Sequence, residues 1–172
     1  HPSPHLHMPA IEITEVSNIS HEDYEALLKL QKSSAPPAIR INKITALNCT
    51  VPDFIRICEG HTQIRTTTIH ITEKEISLAD LVKLCSASTN TALVSKIDWA
   101  SKSLSIKSDA DMRNLQDGIS GTVLSACKQF KEIKFTYPTP LTCQQFERLF
   151  TLRREYLANN PRTFQLSTPM RI

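Results

Sequence analysis

The sequence predicts an α/β fold: strand-helix repeats forming a short leucine-rich-repeat-like solenoid, with a mostly parallel sheet and helices on one face. Two observations predict it: five segments share one helix-start layout at near-constant spacing, and short alternating apolar and polar segments lie between them. Only three of the 172 residues are glycine, which disfavours folds built on glycine-rich loops. Self-similar units of about 20–50 residues are the mark of repeat architectures, in which each unit buries its apolar face against its neighbours.

Ile11-Glu-Ile-Thr14 alternates apolar and polar residues, as a half-buried strand does. A helix is expected from Ser20: a hydroxyl can cap the first free amides, and Asp23, three residues on, suits the positive helix end. Tyr24, Leu27 and Leu28 then fall on one helical face. Ile39-Arg-Ile-Asn42 is the next strand, followed by a helix from Thr50 with Asp53 as the acceptor. Pro52 fits its first turn, and Gly60 is its stop.

Ile69-His-Ile-Thr72 and a helix from Ser77 through Cys85 form the third unit. In the fourth, Ile97-Asp-Trp99 is expected as an extra strand in a hairpin with Leu104–Lys107, ahead of a helix over 108–128. Gly118 and Gly121 fall inside that helix at a cost of about 1 kcal/mol each, so this unit is the one expected to depart from the repeat. Ile133–Thr136, a helix from Thr142 stopped by Asn159-Asn160-Pro161, and Phe164–Ser167 complete the series. The helix starts at Ser20, Thr50, Ser77, Ser108 and Thr142 therefore recur at nearly even intervals. A doubly wound sheet competes, but its strands are covered on both faces and read as continuous apolar runs, whereas these alternate.

Glycine scarcity disfavours G-x-G-x-x-G, P-loop and G-x-S-x-G sites, none of which the sequence contains. A net charge of +3 without a basic run does not indicate a nucleic-acid arm, and no apolar stretch is long enough to span a membrane. Residues 1–10 read as a tag remnant or flexible lead-in, and 11–172 as a single α/β repeat domain. Five cysteines with no C-x₂-C spacing read as free thiols, which places the chain in a reducing, intracellular setting, cytoplasmic or nuclear. No cofactor or metal is expected. Two Asn-x-Ser/Thr sequons, at Asn18 and Asn48, each end on a residue already assigned to a helix cap.

In a solenoid the apolar strand residues face the helices, and the polar ones line an open sheet face. That face would carry Glu12, Arg40, His70, Ser105, Lys134 and Gln165. Partner binding is assigned to Arg40, His70, Lys134 and Glu12. Trp99, the sole tryptophan, is expected in the core, yet an exposed Trp99 would be an interface anchor and it joins the candidates.

The alternative is a small α/β enzyme, or a degenerate relative of one, with a pocket at strand C-terminal ends. Its ingredients would be His70, Cys85 and Asp80 or Asp98; Cys85, however, stands at a core position of its helix. Asp109 with Asp111, and Glu73 with Glu75, read as dipole-complementing and turn acids respectively. His21, His61 and His70 have no ligand spacing. Nucleic-acid binding is a third reading: Arg40, Lys107 and Lys134 give the sheet face a basic tint that Glu12 opposes, and Arg148, Arg153 and Arg154 form the best basic patch, but the exposed strand aromatics of a stacking platform are missing.

The short Ile-x-Ile strands, Ile76-Ser-Leu-Ala-Asp-Leu-Val-Lys-Leu84, Phe130-Lys-Glu-Ile-Lys-Phe-Thr-Tyr137, the run from Leu141 to Leu157 and Phe164-Gln-Leu166 together resemble the FTH-type, F-box-associated domain of nematode F-box proteins. The resemblance covers the chain from about Ile39 onward and rests on rhythm and residue class. It implies divergent strand-helix repeats and the substrate-recognition part of a Skp1–cullin ubiquitin ligase. The implied partner is another protein, with a Skp1-like adaptor contacted through a region not visible in these residues. No F-box motif precedes the repeats.

Overall fold

Each of the five Ser or Thr helix starts becomes an N-cap. The amides of Asp23, Asp53, Asp80, Asp111 and Gln145 donate to the hydroxyls of Ser20, Thr50, Ser77, Ser108 and Thr142 at 3.2, 3.3, 3.1, 3.0 and 3.2 Å. At Ser108 and Thr142 the bond is reciprocated, completing two capping boxes. The computed structural model describes residues 11–32, 39–60, 66–86, 94–158 and 161–167. The lead-in over 1–10, His61 and the Asn159-Asn160 stop lie outside them.

The chain divides into two compact units, His1–His70 and Ile71–Ile172. The first contains strands β1 (Ile11–Ile13) and β2 (Ile19–Ser20), helix α1 (His21–Lys32), strands β3 (Ile39–Ile41) and β4 (Ile44–Cys49), helix α2 (Val51–Gly60) and strand β5 (Thr66–Ile71), which ends at the boundary. β1 pairs with β3, and a second sheet has the order β2-β4-β5. Both described pairings are parallel. Ile11 sits opposite Ile39 and Ile19 opposite Leu47, so the two pairs share one sequence offset. Side chains come close to repeating it. Arg56 donates to Glu25 at 2.8 Å, and Asn48 bonds Asn18, each across one repeat length. Leu47, Phe54 and Ile57 are buried at the centre of this unit.

The second unit contains strand β6 (Glu75–Ser77), helix α3 (Leu78–Ser86), a 3₁₀ turn (Trp99–Ser101), strand β7 (Ser103–Ile106), helices α4 (Asp109–Asp117) and α5 (Gly121–Cys127), strand β8 (Glu132–Phe135), helix α6 (Cys143–Leu157) and strand β9 (Thr163–Leu166). The four strands form one parallel sheet in chain order. Ile76, Leu104, Ile133 and Phe164 stand in register across it, one from each successive strand. The first three of these are buried. The fold is therefore mixed α/β with parallel strand pairing, built from units of near-constant length.

Three expectations need correction. The first three repeats contain a strand that the alternation rule missed, directly before each helix: β2, β4 and β6. In β4, Ile44, Leu47 and Cys49 are buried, a spacing that does not alternate strictly. Ile97–Trp99 is not a strand: Trp99 opens a 3₁₀ turn, held where Ser101 Oγ donates to the Asp98 carbonyl at 3.1 Å. The helix expected over 108–128 is two helices, broken at Gly118 with φ 98° and ψ 147°, a conformation that only glycine adopts without strain. Gly118→Ala should therefore destabilise the unit by about 1–3 kcal/mol in urea denaturation, although space for a methyl group exists. An unchanged midpoint would contradict that reading of the break.

Candidate functional site

The parallel register decides which side chains share a face. Glu75, Ser103, Glu132 and Thr163 form one row across β6 to β9, and Ser77, Ser105, Lys134 and Gln165 form another two residues along. With the apolar row between them turned toward the core, both polar rows point to the opposite side of the sheet. On that side Lys134 Nζ lies 3.7 Å from Glu75 and 3.5 Å from Glu132. Lys107 Nζ is 3.3 Å from the other oxygen of Glu75, and Ser103 Oγ donates to Glu132 at 2.6 Å. Because β7 lies between β6 and β8, the Glu75–Lys134 pair spans a whole strand, which the small Ser103 and Ser105 side chains permit. Ser105, expected to be exposed, is only 2% so, which fits the longer side chains closing over it.

The result is a charged network with accessible ends. Lys107 is more than half exposed, and Glu75 and Lys134 about a third. The Ser103 bond, followed by Lys134 and Lys131, holds the Glu132 carboxyl below its ordinary value. Ion pairs at this exposure are weak and can be exchanged for a partner's charges at little cost.

The other candidates are distributed differently. Glu12 and Arg40 are cross-strand neighbours on β1 and β3, Glu12 being exposed, while the Arg40 side chain lies outside the described residues. His70 is exposed on β5, in the other sheet of the first unit. Lys134 belongs to the second unit, where its partners are Glu75 and Glu132. Sequence reading set Lys107 on the sheet face beside Lys134 but took Glu75 for a turn acid and missed Glu132. The signal was a charged residue beside the apolar strand positions Ile76, Ile106 and Ile133 of three consecutive strands.

Trp99 leaves the binding set. It is 1% exposed, its ring packs on Phe130 with centroids 5.0 Å apart, and its indole N–H donates to the Val94 carbonyl at 3.1 Å. The Asp109 and Asp111 pair is spent structurally. Asp109 accepts the Tyr137 hydroxyl at 2.7 Å, and the buried Asp111 accepts the amides of Ala79, Lys107 and Ser108. Lys102 is buried as well, its ammonium donating to the carbonyls of Ile71 and Glu73 at 2.7 and 2.8 Å. Cys85 is half-buried instead of fully so.

A cleft of about 380 Å³ opens between Trp99 and α5, lined among others by Val94, Thr122, Ser125 and Gln129. These contribute hydroxyl, amide and apolar groups and no charge, and none comes from a strand end. No helix among the described residues is long and apolar enough to cross a membrane.

Burial pushes the Cys58 and Cys85 thiols up to about 11, and burial with the adjacent Cys85 pushes Cys127 to about 12. Burial also raises the Tyr24 phenol to about 12. These groups stay protonated in the fold but ionise near 9 for a thiol and 10 for a phenol once unfolded. The folded state then binds more protons than the unfolded one, so their contribution is full below about pH 9 and is lost as pH rises toward 11–12. Lys102, lowered by burial, acts in the opposite sense and offsets part of the loss. Urea midpoints are expected to fall between about pH 8 and pH 10.5; a constant or rising midpoint would contradict the buried-thiol account.

No family model matches the chain, and neither a curated protein nor a solved structure matches it.

Proposed function

We propose that the chain is a non-enzymatic protein–protein interaction module in which, within each unit, strand-helix repeats stack as in a short leucine-rich-repeat-like solenoid. The charged face of β6 to β8 is its docking surface. The observation that carries the reading is the row of ionic side chains from three successive strands and their ends, Glu75, Lys107, Glu132 and Lys134, held on one sheet face by the parallel register. A solenoid presents such a row as a ready template for a partner's charges. The exposed Glu12 and His70 extend the same logic to the first unit.

The resemblance to the F-box-associated domain supports substrate recognition as the role, with a protein substrate on the strand face and a Skp1-like adaptor contacted elsewhere. Affinity purification from cells that express the chain, followed by calorimetry with the recovered partner, tests the reading. The triple variant Glu75→Ala/Lys107→Ala/Lys134→Ala should weaken binding at least about tenfold with no more than about 1 kcal/mol lost in stability. Undiminished binding by a folded triple variant would remove the strand-face proposal. Recovery of the chain without any protein partner would remove the module reading.

A further inference from the structure

The outer flank of α6 carries apolar surface that the second unit does not use. Leu149, Leu152 and Tyr156 are buried, and Gln145 reaches Gln116 of α4 at 3.3 Å, so these positions define the inward side and the α4 side of the helix. Cys143, Phe146, Phe150, Arg153, Arg154 and Leu157 recur at helical spacing on the other flank. Phe150 is 53% exposed, and its ring stacks on Phe146 with centroids 6.0 Å apart. Glu147, Arg153 and Arg154 are exposed, and none of them has an ion pair among the described residues. β9 is the edge strand beside this end, and its Leu166 is 44% exposed.

We infer that this flank is a two-fold interface between two copies of the chain, formed by α6 packing antiparallel on the α6 of the partner with the axis at Phe150. The order of residues along the helix is self-complementary about that point and about no other aromatic on the flank. With Phe150 against its symmetry mate, Glu147 shares one edge of the seam with the partner's Arg154, Phe146 shares the other with the partner's Arg153, and Cys143 stands opposite the partner's Leu157. One rotation thus pairs each acid with a base, sets a cation over an aromatic face and covers the exposed ring. A parallel arrangement would instead place Arg153 and Arg154 against the same residues of the neighbour. The occupant is therefore a second copy, and the interface is distinct from the strand face proposed above.

A single helix pair is a small interface, so a dissociation constant in the micromolar range is expected, with dimer growing between about 5 and 200 µM in sedimentation equilibrium. Phe150→Glu should leave a folded monomer, since the residue is exposed in the free chain. Glu147→Arg should weaken the dimer about tenfold or more, and Glu147→Arg/Arg154→Glu should restore it, because the swap re-forms both pairs across the axis. In a Cys143→Ser background, Phe150→Cys should yield a disulfide-linked dimer on mild oxidation. Arg148→Cys, on the far side of the helix beside Gly118, should not. A wild-type chain that remains monomeric across this range overturns the proposal. So does a dimer that Phe150→Glu leaves intact, or one that the charge swap fails to restore.

Discussion

Replacing Asp111 with alanine is expected to cost the second unit about 3–5 kcal/mol, the largest loss from any single polar side chain in it. The carboxylate is 1% exposed and accepts three backbone amides: Ala79 at 2.9 Å, Lys107 at 3.1 Å and Ser108 at 3.1 Å. Two of these amides belong to its own repeat, and the third lies at the start of α3 in the preceding one. The same side chain therefore closes a capping box and joins two repeats. Removing it leaves three part-buried amides without their acceptor. Asp111→Asn keeps one acceptor oxygen and should lose about half as much. Urea denaturation monitored by circular dichroism measures both. A loss below about 1 kcal/mol for Asp111→Ala would mean that the residue acts as an ordinary exposed cap.

Trp99→Ala is expected to be comparably severe, about 3–5 kcal/mol, because it empties a large buried volume and leaves Phe130 without its aromatic neighbour. Trp99→Phe should cost less, since it keeps most of the apolar volume but leaves the Val94 carbonyl without the indole donor. A residue serving as an interface anchor would behave in the opposite way, with stability preserved and partner binding lost. Thermal melts of the free chain separate the two roles without any partner present.

How far the sequence could be read depended on whether the signal was local. The caps at Ser20, Thr50, Ser77, Ser108 and Thr142 were legible because an N-cap is decided within one helical turn. The strand starts at Ile11 and Ile39, and the strand around Leu104, were legible because period-two alternation is equally local. β2 and β6 were not, for each holds a single apolar residue, Ile19 or Ile76, and one apolar position displays no period. The break at Gly118 was foreshadowed by the cost of glycine in a helix, but its positive φ and the second cap that follows, where Ser120 Oγ accepts the Val123 amide, had no such signal.

The site was legible in part. Lys107 and Lys134 could be placed on an outward face from alternation alone. That Glu75 joins them required the register, which brings together residues a full repeat or more apart in sequence. Asp111 looked like a dipole-complementing acid, and its bond to Ala79 in the preceding repeat had no local trace. Trp99 was ambiguous for the same reason: its burial depends on Phe130, far along the chain.

The central claim, that a protein partner docks on the charged face of β6 to β8, is tested most directly by lysine footprinting. The chain is treated with an amine-reactive ester alone and in complex with the affinity-purified partner, and modification is read by mass spectrometry. Lys107 and Lys134 should become protected in the complex, while the exposed Lys83 of α3 keeps its reactivity. Protection confined to Lys83 or other helix lysines, with Lys107 and Lys134 as reactive as in the free chain, would contradict the account.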